Sequence, residues 1–158
     1  MTWQIRALSP LPFQPLLDLT EAELLAVGAR RMIAAAPNSA PCRVSLCDAA
    51  PGETLLLVNH AHLPELSSPY RGSGPVFVRE AAKQTVVRPG DVPDMIERRL
   101  LSARVYDADW MMTDADVVEG VEIATRLDAW FTDPATRRVH LHTARRGCFM
   151  AAVERASG

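Results

Sequence analysis

The amino-acid sequence predicts an α+β domain with a mainly antiparallel sheet and two principal helices packed on one of its faces. Two apolar stripes recur at the 3.6-residue spacing of a helix. Several short apolar runs are bounded by Pro, Gly, Asn and Asp, as strands are. Most turns between these runs are too short for parallel crossovers. Because no repeat or long linker divides the chain, we expect residues 1–158 to form one domain.

The composition predicts a globular protein and argues against nucleic-acid and membrane partners. The chain has 158 residues, of which 48% are hydrophobic and 23% charged, as in ordinary soluble globular proteins. A net charge of −2 argues against a nucleic-acid partner. No apolar run approaches the roughly 18 residues of a membrane span, and the N-terminus from Met1 lacks the pattern of a secretory leader. Three cysteines, an odd number, favour free thiols. We therefore expect a cytoplasmic protein without a membrane partner.

Both principal helices are predicted from a cap followed by an apolar stripe. Thr20 and Glu23 form a capping-box pattern, and the first helix is expected to continue until Pro37. Asp116 is expected to cap the second helix, which ends before Pro134. A short helix is expected over residues 93–99.

Strands are predicted where apolar residues alternate or form short continuous runs between turn residues. The predicted strands cover residues 3–8, 42–47, 54–60, 75–79, 102–107, 138–143 and 148–154. Residues 42–47 and 54–60 are expected to pair as a hairpin. The last two strands are expected to pair as another, through a four-residue loop.

Five short motifs occur in an order that resembles an uncharacterised, mainly bacterial family, domain of unknown function 1203. They are Pro41-Cys42-Arg43, Pro51-Gly52-Glu53 with the apolar run 55–57, residues 68–77 from Ser-Pro-Tyr to Pro-Val-Phe, Arg104-Val105-Tyr106-Asp107 and Gly147-Cys148-Phe149. The resemblance spans residues 41 to about 155 and leaves the first forty residues uncovered. It implies a single domain, and no known reaction, substrate or cofactor.

Arginine and tyrosine side chains form the candidate ligand site. Residues 69–75 hold two prolines and two glycines, which define a loop with Tyr70 and Arg71 at its tip. Arg104 and Tyr106 share a strand face, and a guanidinium beside a phenol suits a carboxylate or phosphate. The full candidate set is Arg43, Tyr70, Arg71, Arg104, Tyr106 and Asp107. The alternative is structural: Arg104 pairs with an acidic neighbour and Asp107 caps the next turn.

Two H-x-H pairs are the candidate metal ligands. They are His60 with His62 and His140 with His142. Residues i and i+2 of a strand point to one face, so each pair can offer two imidazoles to one ion. The alternative is a half-exposed strand face whose imidazoles bond to neighbouring groups. Motifs this short are often false positives, so we expect no metal and no other cofactor.

Cys42 and Cys148 are the candidate reactive thiols. Each lies near arginines in the sequence, and a neighbouring cation favours the nucleophilic thiolate. Free cysteine is more often a small buried hydrophobe.

Three functions remain open from the sequence. The first is a cytoplasmic protein that binds a small anionic ligand through the arginine and tyrosine pocket. The second is a metal- or thiol-dependent enzyme that uses the H-x-H pairs or Cys148. The third is a non-catalytic interaction protein that forms a homodimer or larger homo-oligomer.

Overall fold

Two antiparallel sheets account for most of the structure, a computed structural model that describes residues 3–158. Met1 and Thr2 lie outside the described residues. They belong to the N-terminal segment that was predicted to lack the pattern of a secretory leader. The strands are β1 (Trp3–Arg6), β2 (Ala29–Ile33), β3 (Thr54–Leu63), β4 (Gly72–Arg79), β5 (Leu100–Tyr106), β6 (Met112–Glu119), β7 (Arg138–Thr143) and β8 (Phe149–Arg155). The larger sheet has the order β1-β8-β7-β5-β6, and the smaller sheet has the order β2-β3-β4. All their pairings are antiparallel.

The prediction of two principal helices is wrong. The helices are α1 (Glu21–Ala26), α2 (Asp94–Glu97) and α3 (Ile123–Trp130), and α3, with eight residues, is the longest within residues 3–158. The protein is therefore mostly antiparallel sheet, with short helices.

The first predicted helix ends after six residues because of Gly28. The capping box of Thr20 and Glu23 is present as predicted. Gly28, however, has φ 72°, a left-handed conformation that ends helices. The next residues form β2 and pair with β3 from Ala29 opposite Val58 to Ile33 opposite Thr54. The apparent helical stripe is not buried, since Ile33 is 66% exposed.

The second predicted helix begins six residues later than expected, because its N-cap is Glu122 and not Asp116. Asp116 lies on β6, at the edge of the larger sheet, opposite Ala103. Pairing with β5 buries Val118 and outweighs the local helical pattern before Gly120. The predicted apolar face of the helix is confirmed from Ile123 onward, where Ile123 and Leu127 are fully buried.

The predicted strand over residues 42–47 is also wrong. This segment is a tight turn, in which Leu46 has φ 49° and its N–H donates to the carbonyl of Cys42. The segment makes two isolated bridges, Pro41 to Asp48 and Cys42 to Phe77.

The two faces of the larger sheet have different partners. One face is apolar and packs against α2 and α3, through residues such as Leu101, Leu141 and Ile96. The opposite face meets the smaller sheet, where Phe149 packs with Leu56 and Val76. None of the helices described is long and apolar enough to span a membrane.

Candidate metal centre

Three histidine side chains converge between the two sheets. His140 and His142 lie on β7, and His62 comes from β3 of the smaller sheet. The ligating nitrogens of these three residues all lie within 4.8 Å of one another. The predicted pair on β7 is therefore brought together with one member of the other pair. His60 lies outside this cluster, and its ring lies 6.0 Å from that of Phe13 and 6.1 Å from that of Phe149.

Register shifts in the strand pairing determine where these imidazoles lie. The β3–β4 register shifts between His60 and Leu63, where His62 packs over Gly72. A Cβ on Gly72 would lie 3.3 Å from Cε1 of His62, so this close approach favours glycine. A second register shift puts Phe149 opposite His142. The Phe149 ring stacks on His62, with an interplanar angle of 7°.

Burial keeps the cluster neutral. His140 is 2% exposed and His142 is 1% exposed. Burial lowers the pKa of His140 to about 3 and that of His142 to about 4. Burial also lowers the pKa of the half-buried His62. All three are therefore neutral at pH 7, the form that binds metal ions.

The hydrogen bonds of the cluster leave ring nitrogens free. Nδ1 of His142 lies 2.9 Å from the carbonyl oxygen of Gly147. When Nδ1 donates its proton to that carbonyl, the lone pair is on Nε2, as in many metal-binding histidines. Among the residues described, Nε2 of His142 and Nδ1 of both His62 and His140 are buried without a hydrogen-bond partner.

This donor set fits a transition-metal ion. A tetrahedral ion with bonds of about 2.05 Å separates its ligand nitrogens by about 3.3 Å, so the imidazoles need to close by at most about 1.5 Å. Imidazole suits Zn²⁺, Cu²⁺, Ni²⁺ and Fe²⁺. Three protein ligands leave at least one coordination position open, the arrangement of catalytic rather than structural zinc.

Two of the six predicted ligand residues, Arg104 and Tyr106, lie beside the histidines, and Tyr70 packs against Tyr106. Arg104 pairs with His140 across β5 and β7. The Tyr106 ring lies 5.2 Å from the His140 ring and 6.0 Å from the Tyr70 ring. The predicted arginine and tyrosine pocket and the H-x-H pair on β7 thus share one sheet face.

The other three predicted ligand residues have different surroundings. Arg43 is 2% exposed, donates to the carbonyls of Phe149 and Pro41, and has its pKa lowered to about 10 by burial. Oδ1 of Asp107 accepts from the N–H groups of Asp109 and Met111, at 2.9 and 3.0 Å. Arg71 is exposed. Arg43 therefore supports the strand that carries Phe149, and Asp107 shapes a turn.

The two candidate thiols both lie near Arg43 and differ in burial. Cys42 is buried, and its Sγ accepts from the N–H groups of Ser45 and Arg79. Cys148 is half-buried, with Sγ 4.0 Å from the carbonyl oxygen of Arg146. Both are free thiols, as is Cys47.

Two further residues near the cluster, Trp110 and Arg138, were not predicted as site residues. Trp110 has φ 60°, and its ring lies 5.7 Å from that of His140. The Arg138 guanidinium stacks 3.6 Å from the centre of the Trp110 ring. Arg138 lies two residues before His140 in the sequence. This spacing places both side chains on the same face of the strand, and it was the one sequence feature that could have indicated Arg138.

The fold and the site together define an antiparallel two-sheet protein with a three-histidine cluster beside arginine and tyrosine side chains. The chain belongs to the family described as Protein of unknown function (DUF1203), whose model matches residues 39–155. This confirms the resemblance found in the sequence. The matched range contains all three histidines with Arg104 and Tyr106. Comparison with curated proteins and with solved structures gives no significant match.

Proposed function

We propose that the protein is a mononuclear metalloprotein that binds a small anionic ligand. His62, His140 and His142 hold a divalent transition-metal ion, and the anion occupies an open coordination position near Arg104 and Tyr106. The observation that carries this proposal is the convergence of three neutral imidazoles, with ligating nitrogens within 4.8 Å of one another.

The unpaired ring nitrogens support a metal over a purely structural cluster. Buried polar groups are nearly always hydrogen-bonded, and each unpaired group costs about 1–3 kcal/mol. Here one nitrogen on each of three adjacent histidines is buried without a partner in the part of the chain described. An ion bound by these nitrogens would give all three a partner.

The charge of the site supports an anionic ligand. Neutral imidazoles leave the charge of a divalent ion uncompensated, and no carboxylate belongs to the cluster within residues 3–158. Arg104 and Arg138 add positive charge on the same sheet face, and neither forms a salt bridge with the described residues. When bound, the ion would supply a Lewis acid to a ligand in the open position.

We also propose a cytoplasmic location without a nucleic-acid partner. Three free thiols and a net charge of −2 support it.

Metal binding can be tested by thermal melting and by metal analysis. Chelator-treated protein should bind one equivalent of Zn²⁺ or Co²⁺ per chain. At 100 times its dissociation constant, an ion stabilises the folded state by about 2.7 kcal/mol, which for a chain of this size raises the melting temperature by roughly 5–10 °C. His140→Ala and His142→Ala should abolish the metal-dependent shift, because each removes a ligand.

The matched control is His60→Ala. His60 belongs to an H-x-H pair and lies near Phe149, but it is outside the cluster. This variant should keep the stoichiometry and the shift. The proposal fails if the parent protein binds no stoichiometric metal, or if all three alanine variants bind it equally well.

A further inference from the structure

Arg104 is placed to select the ligand at the metal centre. We propose that it anchors one oxygen of a small oxyanion, a carboxylate or a phosphate, whose second oxygen binds the metal. This inference rests on the proposed function and adds the chemical class of the ligand and the residue that recognises it.

The sheet register puts Arg104 beside two of the three metal ligands. It lies directly opposite His140, and its neighbour on the same face, Ser102, lies opposite His142. The positive charge of Arg104 contributes to lowering the pKa of His62, His140 and His142 alike. Arg104 therefore lies close to the whole cluster.

The guanidinium of Arg104 retains donors for a ligand. Its Nε donates to Oγ of Ser102 at 3.4 Å, and the guanidinium also lies close enough to the Tyr106 hydroxyl to favour the ionised form of that phenol, which leaves further N–H groups for a ligand. No carboxylate oxygen of residues 3–158 lies within 4.0 Å of it. The arginines that form salt bridges are Arg6, Arg31, Arg79, Arg88, Arg98, Arg99 and Arg126. Arg43, also near His142, is already bonded to two carbonyls. Arg104 is half-buried, and its rigid planar fork can direct an N–H at one oxygen of an oxyanion while the second oxygen stays available to the metal.

The aromatic residues around the cluster favour a small ligand. The rings of Tyr106 and Trp110 lie 5.2 and 5.7 Å from that of His140. Tyr70 packs edge-on against Tyr106 and is 39% exposed, which places it at the solvent side. These rings occupy space around His140, which favours a compact anion over an extended molecule.

Cobalt-loaded protein provides the test, because its visible absorption reports ligands that bind the metal. Acetate, phosphate and neutral imidazole are each titrated into the parent and into Arg104→Gln. A charge-assisted contact accounts for roughly 10- to 100-fold in affinity. Acetate or phosphate should therefore bind Arg104→Gln weaker by that factor. Imidazole, which has no charge for Arg104 to recognise, should bind both proteins within about twofold.

Arg30→Gln is the matched control, since Arg30 is an exposed arginine on β2. It should leave all three affinities unchanged. If neither oxyanion is weakened in Arg104→Gln, or if imidazole is weakened equally, Arg104 is not the anchor, although the metal site stands. Failure of the parent to bind cobalt would overturn the proposed function itself.

If Arg104→Gln does not fold, Arg104→Lys is used in the same titrations instead. Lysine keeps the charge but loses the planar fork. Its oxyanion affinity should fall while its cobalt and imidazole affinities stay at the parent level. Parent-level affinity for both oxyanions in this variant would overturn the proposal.

Discussion

Gly120→Ala should destabilise the protein by about 3 kcal/mol or more, because a methyl group at this position has no room. Gly120 packs against backbone carbonyls in the last turn of α2 and just after it. A Cβ would overlap the carbonyl oxygen of Ile96 and lie 2.5 and 2.7 Å from those of Glu97 and Arg99. Its own N–H donates to the carbonyl of Arg99 at 2.8 Å, so the two segments cannot separate without losing this bond. Urea denaturation should show the loss, and the melting temperature should fall by roughly 6–12 °C.

Gly74→Ala is the control for this prediction. Gly74 lies on β4, has no positive φ, and has no heavy atom within 4 Å of the position its Cβ would take. Its replacement should change the free energy of unfolding by no more than about 0.5 kcal/mol. A Gly120→Ala protein as stable as the Gly74→Ala protein would show that the α2 carbonyls can move apart freely.

The chelator-treated protein should lose roughly 3–4 kcal/mol of stability between pH 7 and pH 5. Burial lowers the pKa of His140 to about 3 and that of His142 to about 4. In the unfolded chain both titrate near pH 6.5. Below that pH the unfolded state binds protons that the folded state does not, so the free energy of unfolding falls as pH falls. Each histidine contributes roughly 2 kcal/mol over this range.

Urea denaturation at pH 7, 6 and 5 tests this prediction. Carboxylates in the unfolded chain titrate mainly below pH 5, so histidine dominates the interval. His142→Gln should show about half of the loss between pH 7 and pH 5, because one of the two buried imidazoles is gone. A free energy of unfolding that changes by less than about 1 kcal/mol in the parent protein would contradict the burial of neutral histidines.

Local patterns predicted the strands well where turn residues bound them. The last hairpin and the strand over residues 54–60 are present, the latter continuing to Leu63. The capping box at Thr20 is also present, because both of its bonds lie within four residues. The prediction of helix over residues 29–36 and 116–122 was wrong, because a helical period and a paired edge strand can both accommodate the same short sequence. Pairing with β3 and β5 decides between them, and those partners lie at least 13 residues away in the chain.

The candidate site was only partly predictable from the sequence. Two-residue spacing put His140 with His142, and Arg104 with Tyr106, on common strand faces. Spacing could not show that His62 would join the β7 pair while His60 would not. A register shift between His60 and Leu63 makes that choice, and it depends on the packing of His62 over Gly72.

The sequence by itself determined the capping box at Thr20, the last hairpin and the common strand face of His140 and His142. These properties depend on bonds and spacings within a few residues. Only the tertiary structure decided that two sheets face each other and that an imidazole from one meets two from the other, beside an arginine that has no carboxylate partner among residues 3–158. The physical reason is that strand pairing and burial are set by contacts between distant segments, whose energies no local pattern contains.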